Sequence, residues 1–185
     1  YGSLSSHMVE QQGAFQNDTW KSKIETAQNT GALLWGDEAM RMESAATIGA
    51  TVGQIAKAKG WDDATTEAAM RDAMSPLHVG IMNGMIKSGN AASARKYYET
   101  NSAGMSIQAR ATMQGVIKEA GDTQTAEATA DAVWSAVGPK LSNDPIKLFD
   151  MEAELRTQLK DNPDAMKTGL SALRQRPSCG PSLSG

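Results

Sequence analysis

The sequence predicts an all-α fold, and three observations carry that expectation. Alanine, with 28 residues, and methionine, with 11, supply much of the apolar volume, against only nine aromatic side chains. Alanine and unbranched side chains lose least on entering a helix, whereas sheets draw on aromatic and β-branched residues. Apolar residues recur at intervals of three and four, and no stretch alternates polar and apolar for long enough to make a strand. Capping residues and glycine, asparagine or proline stops also punctuate the chain at short intervals.

Asn17 and Asp18 can cap a first helix through Trp20, Ile24 and Ala27 to about Thr30, with Gly31 to Gly36 as its end and turn. Asp37 opens a long helix over 38–59 with Met40, Ser44 or Ala45, Ile48, Val52, Ile55 and Ala56 on its inner stripe, and Gly60 closes it as a C-cap. Asp62 or Asp63 opens a third, burying Ala69, Met70, Ala73 and Met74. Pro76 lacks a backbone N–H and clashes with the preceding turn, so a kink or restart is expected there with Ser75 as N-cap. The restarted helix carries Leu77, Ile81 and Met85, with His78 and Met82 on an adjoining stripe, and ends at Gly89.

Asn90 caps a short helix over 91–100 whose inner residues are Ala94, Tyr97 and Tyr98. Ser106 caps the next, in which Ile107, Ala111, Met113 or Gln114, and Ile117 recur before Gly121. Asp122 caps another, with Ala126, Ala130, Val133, Trp134 and Val137 ahead of Gly138-Pro139. Two final helices start on cap-then-proline pairs, Asp144-Pro145 to Lys160 and Asn162-Pro163 to Arg176.

Eight or nine helices with such short loops make antiparallel neighbours, so the expected architecture is a stack of antiparallel helical hairpins. Segments 62–100 and 105–138 each come close to the period of tetratricopeptide (TPR) repeats, which gives the stack a repeat-like, TPR-like geometry. Residues 1–16 read as an expression scar and flexible lead-in, because Tyr1 to Met8 contains the Gly, Ser, His and Met of a common cloning remnant. Residues 17–176 form a single helical domain, and 177–185, rich in breakers and containing Cys179 as an exposed thiol, a flexible tail.

A net charge of −3 and a pI near 5.4, without any dense lysine or arginine block, argue against direct nucleic-acid binding. One cysteine and two histidines cannot build a zinc site or a disulfide framework, and no cofactor is expected. Once His7 is set aside with the scar, His78 is the sole candidate base, so no nucleophile has a partner set and no catalytic residue is assigned. His78 is expected to be a hydrogen-bonded core or boundary residue, and the four tryptophans packing anchors. From Ser44 to Ala56 the chain is uncharged and carries Gly49 and Gly53 in a small-x-x-x-small pattern. That segment falls short of the ~20 apolar residues needed to span a bilayer, and close packing on a neighbouring helix is its expected role.

Glu43-Ser44 followed by Gly49-Ala50-Thr51-Val52-Gly53-Gln54 resembles a feature of goose-lysozyme-like lytic transglycosylases, namely a Glu-Ser pair ahead of a Gly-Ala-x-Gly-Leu-Met-Gln segment. The resemblance implies Glu43 as general acid. Here the glycine spacing is one residue longer, Leu-Met is missing and the helical period runs through, so a solvated helix glutamate is expected instead.

Ser75, His78 and Gly80, then Gly89, Ala94, Tyr97 and Tyr98, and further on Asp144-Pro145 and Asn162-Pro163 form a longer pattern within residues 36–176. That pattern is similar to a helical region of tailed-bacteriophage virion proteins. The resemblance implies a non-catalytic structural or assembly domain of an internal or tail-associated virion protein of the genome-ejection apparatus. Its partners would be other virion proteins and further copies of itself, its location the virion, and membrane contact would occur only during ejection. The alternatives are a peptidoglycan-cleaving fragment with Glu43 as acid, or a TPR-like peptide-binding adaptor in the bacterial cytoplasm.

Overall fold

Seven α-helices and one short 3-10 turn make up the secondary structure of the described residues, 2–137 and 145–176, in this computed structural model. They are α1 (Gly2–Leu33), α2 (Glu38–Lys59), α3 (Asp63–Lys87), α4 (Ala91–Asn101), the turn Ser102–Gly104, α5 (Ile107–Val137), α6 (Pro145–Gln158) and α7 (Pro163–Gln175). Gly138-Pro139, Asp144 and the 177–185 segment with Cys179 lie outside the described residues. Local chemistry sets most of the boundaries. Asp37, Asp62, Asn90 and Asn162 each accept a hydrogen bond from the amide three residues on, and Gly60 ends α2 in the left-handed region at φ 63°.

The all-α expectation holds, but eight or nine helices do not. Two junctions that local rules would break run through. At Pro76, α3 continues: buried Ser75 donates its hydroxyl to the Arg71 carbonyl (2.6 Å) and accepts from the Ser106 amide (2.7 Å), while Leu77, Ile81 and Met82 are buried just beyond. That tertiary anchoring outweighs the ~3 kcal/mol an interior proline costs. At Gly121-Asp122, α5 also continues. Asp122 lies inside the helix there, and its carboxylate accepts from Lys118 Nζ and from Asn162 Nδ2, both at 2.7 Å.

Because 105–138 holds one 31-residue helix where a hairpin was expected, it has no counterpart in the α3–α4 pair, and the repeat-like, TPR-like stack falls with it. Asn17 and Asp18 are likewise interior, exposed positions of α1.

Two compact units divide the chain, one up to Ile117 and one from Lys118 onward. In the first, α1, α2 and α3 pack on one another, and α4 and the 3-10 turn pack on α3. Trp20 and Ile24 share a cleft with Ile55 and Lys59, whereas Gly31 meets Ser44, so α1 and α2 run antiparallel. Gln28 donates to the Ala73 carbonyl at 2.7 Å, Gly31 meets Leu77, and Gly84 lies against Trp35, so α1 and α3 run parallel.

The close approach of these helices rests on three glycines. A methyl group on Gly31 would fall 2.5 Å from Leu77 Cδ1, one on Gly80 would run into Ala32, and one on Gly84 into the Trp35 indole. Gly31 therefore serves packing rather than a turn. Met82, Met105 and Met113 fill the core between the helices, so methionine is used here mainly inside rather than as a contact stripe. Ile107 and Ala111 fall outside the buried stripe of α5, which in this unit runs through Met113 and Ile117.

The second unit packs Ala126, Ala130 and Val133 of α5 against Met151 and Leu155 of α6 and Ala165 and Leu173 of α7. Asn162 ties two elements at once, accepting from the Ala165 amide as N-cap and donating to Asp122. Arg174 grips Glu152 through two hydrogen bonds, at 2.7 and 3.0 Å, which hold that carboxyl below its usual titration range.

Candidate functional site

Two clefts and one polar cluster in the first unit carry the residues that could bear chemistry. The larger cleft, about 620 Å³, is an open groove along α1 and α2. Hydroxyls of Thr19, Ser22, Thr26 and Thr47 line much of it, with Phe15 at one end and Met40 among its α2 residues. Glu43 and Ser44 both reach it, as do Asp18 and Lys23. Glu43 is exposed, whereas Ser44 is buried against Gly31.

A glycosidase acid works from an apolar pocket opposite a second carboxylate. The groove supplies Asp18 as a further carboxylate but only Phe15 as an aromatic wall. Residues 49–54 continue α2 as helix, so no loop folds over Glu43.

The smaller cleft, about 410 Å³, brings Trp20 and Trp61 together over Ile24 and Ile55. The Lys59 ammonium stands 5.6 Å from the centre of the Trp61 ring, a cation–π contact. Trp35, partly buried, packs onto the core at Gly84, and Trp134 packs against the core of the second unit with Arg176 over its ring.

His78 sits half-buried on α3 with its Nδ1 2.9 Å from the Tyr97 hydroxyl of α4. Arg41 of α2 lies 6.0 Å over the same tyrosine ring. Burial pushes the His78 pKa down from its ordinary 6.5 and the Tyr97 pKa up from 10.0, the latter opposed by Arg41. The cluster holds a neutral imidazole and a neutral phenol, which ties α3 to α4 and provides no nucleophile.

The sign of the resulting pH dependence follows directly. Below about pH 6.5 the unfolded chain takes up a proton that folded His78 resists, so this contribution is complete above that pH and declines below it. Urea unfolding of the wild type should therefore lose stability between pH 7 and 5 relative to His78→Gln. Parallel pH curves for the two proteins would remove the assignment.

No group of three or more metal-ligating side chains occurs among the described residues, and no helix there is long and apolar enough to cross a membrane. No protein-family model, curated protein or solved structure matches this chain. The site residues that sequence reasoning passes over are those of α1. Phe15, Asp18, Thr19, Ser22 and Thr26 share one face, and the signal that could have found them is their spacing, which carries a single large apolar residue, Phe15, inside the segment read as lead-in.

Proposed function

We propose that this chain is a non-catalytic interaction domain, a structural or assembly part of a tailed-phage virion protein. The observation that carries the interaction reading is the tip of the α1–α2 hairpin. Leu33 (80% exposed), Leu34 and Met42 (66% exposed) stand in solvent within ten residues of one another along the chain. Single exposed apolar residues are ordinary on a protein surface, but large ones clustered about one turn mark a contact surface. The partners are other virion proteins, and the virion context rests on the family resemblance of Ser75 to Tyr98 and of the two Asp/Asn-Pro helix starts.

Quantitative peptide mapping of purified particles tests the context, and fragments around Tyr97 and Trp134 should appear at a fixed small copy number. Their absence overturns the virion reading. Leu33→Ser combined with Met42→Ser should abolish binding to particle proteins while leaving helicity unchanged, and unaltered binding would remove the hairpin tip from the interface. A second reading, peptidoglycan cleavage, is favoured only by Glu43 and Asp18 lining one groove. Zymography of the wild type beside Glu43→Gln decides it, because a wild type that clears no peptidoglycan ends that reading.

A further inference from the structure

We propose that the α1 face from Phe15 to Thr26 docks a second copy of this chain, with the two α1 helices lying parallel about a two-fold axis. This rests on the interaction reading above and names one partner. Phe15, Thr19, Ser22 and Thr26 follow one another at intervals of four, three and four, the a/d pattern of a helix seam, and none of them is covered within the chain. Phe15 is 73% exposed, although it is the largest side chain on that face.

Charge selects the occupant. Asp18 precedes Thr19 and Lys23 follows Ser22, so they hold the g and e positions that flank the seam on opposite sides. In a parallel pair each Asp18 meets the partner's Lys23, five positions further along, and the contact forms twice. Antiparallel pairing would set g positions against g and e against e, so Asp18 would face an acidic Asp18 or Glu25 of the other copy and Lys23 would meet no acid. Among the described residues neither side chain has an ion pair within the chain, whereas Glu25, at the next g position, pairs with Lys21 at 3.9 Å. A ligand of single charge would meet one favourable and one unfavourable group here. A second copy of the same helix satisfies both.

The seam itself is small and polar. The Thr19 hydroxyl donates to the Phe15 carbonyl at 2.8 Å, so it is satisfied within its own helix as the backbones approach. Phe15 packing on Phe15 across the axis supplies the apolar contact, and the flanking ion pairs make the association weak and salt-sensitive.

Sedimentation of the full chain over a range of concentrations tests this. The wild type should dimerise at low salt and dissociate as salt rises. Asp18→Lys and Lys23→Asp should each weaken the dimer at least tenfold, with unchanged circular dichroism. Mixing the two variants should restore a heterodimer, because every contact is then again between opposite charges, and the double variant D18K/K23D should restore the homodimer. Phe15→Ser should weaken association without rescue by either charge change. A wild type that stays monomeric, a dimer indifferent to Asp18 and Lys23, or a mixture that fails to pair overturns the proposal. A monomer that still binds particle proteins overturns only the dimer, and a charge-dependent dimer absent from particles overturns only the virion reading.

Discussion

Gly31→Ala is expected to destabilise the first unit by about 2 kcal/mol, whereas the same change at Gly53 is expected to stabilise it by up to about 1 kcal/mol. Both glycines lie inside α-helices, so both substitutions gain the same helix propensity. They differ in what the new methyl meets. At Gly31 it would lie 2.5 Å from Leu77 Cδ1, 2.8 Å from Ser44 Cβ and 2.9 Å from Ser44 Oγ, and both neighbours are buried, so neither can swing away without displacing α2 or α3. At Gly53 nothing stands within 4 Å. Overpacking of a core costs about 1–3 kcal/mol, and more where the neighbours are fixed, which exceeds the propensity gain of at most ~1 kcal/mol. Urea unfolding measures both. Equal shifts at the two positions would mean that α1 and α3 can separate at little cost, and that Gly31 does not set their spacing.

This contrast also shows how far the sequence could be read. The caps at Asp37, Asp62, Asn90 and Asn162 and the stop at Gly60 were legible because each depends on one side chain and a few backbone atoms nearby. The inner residues of α2 were legible because Ile48, Val52 and Ala56 repeat at helical period. Pro76 and Gly121 misled for the opposite reason. Their local signals are genuine breakers, but Ser75 is held by Ser106, 31 residues on, and Asp122 by Asn162, 40 residues on. No local window contains those partners. Gly31 read as a turn because the Cβ contacts that require glycine there come from α2 and α3. In the candidate groove Glu43 stood out by motif, while the α1 face opposite it had no large apolar stripe to draw attention.

Leu155→Ala should cost the second unit about 2–5 kcal/mol, a large share of what so small a core can supply. Leu155 is fully buried, and it faces Gly169 of α7, where a methyl would lie 3.2 Å from Leu155 Cδ2 and 3.3 Å from both the Ala126 carbonyl and Leu159 Cδ1. Removing the leucine branches opens a cavity beside Gly169, where α7 approaches both Leu155 and the α5 backbone at Ala126. Amide exchange in α6 and α7 should accelerate accordingly, while the amides of α2 and α3 keep their protection. The geometry further requires the two sites to couple. Gly169→Ala alone presses on three atoms that have little room to retreat, but in the Leu155→Ala background one of the three is gone and the new methyl occupies part of the vacated space. The double variant should therefore be more stable than the sum of the single changes predicts, by roughly 0.5–3 kcal/mol as neighbouring core sites commonly show. Strict additivity would mean that α7 does not rest on Leu155, and the packing assigned to this unit would then be wrong at its centre.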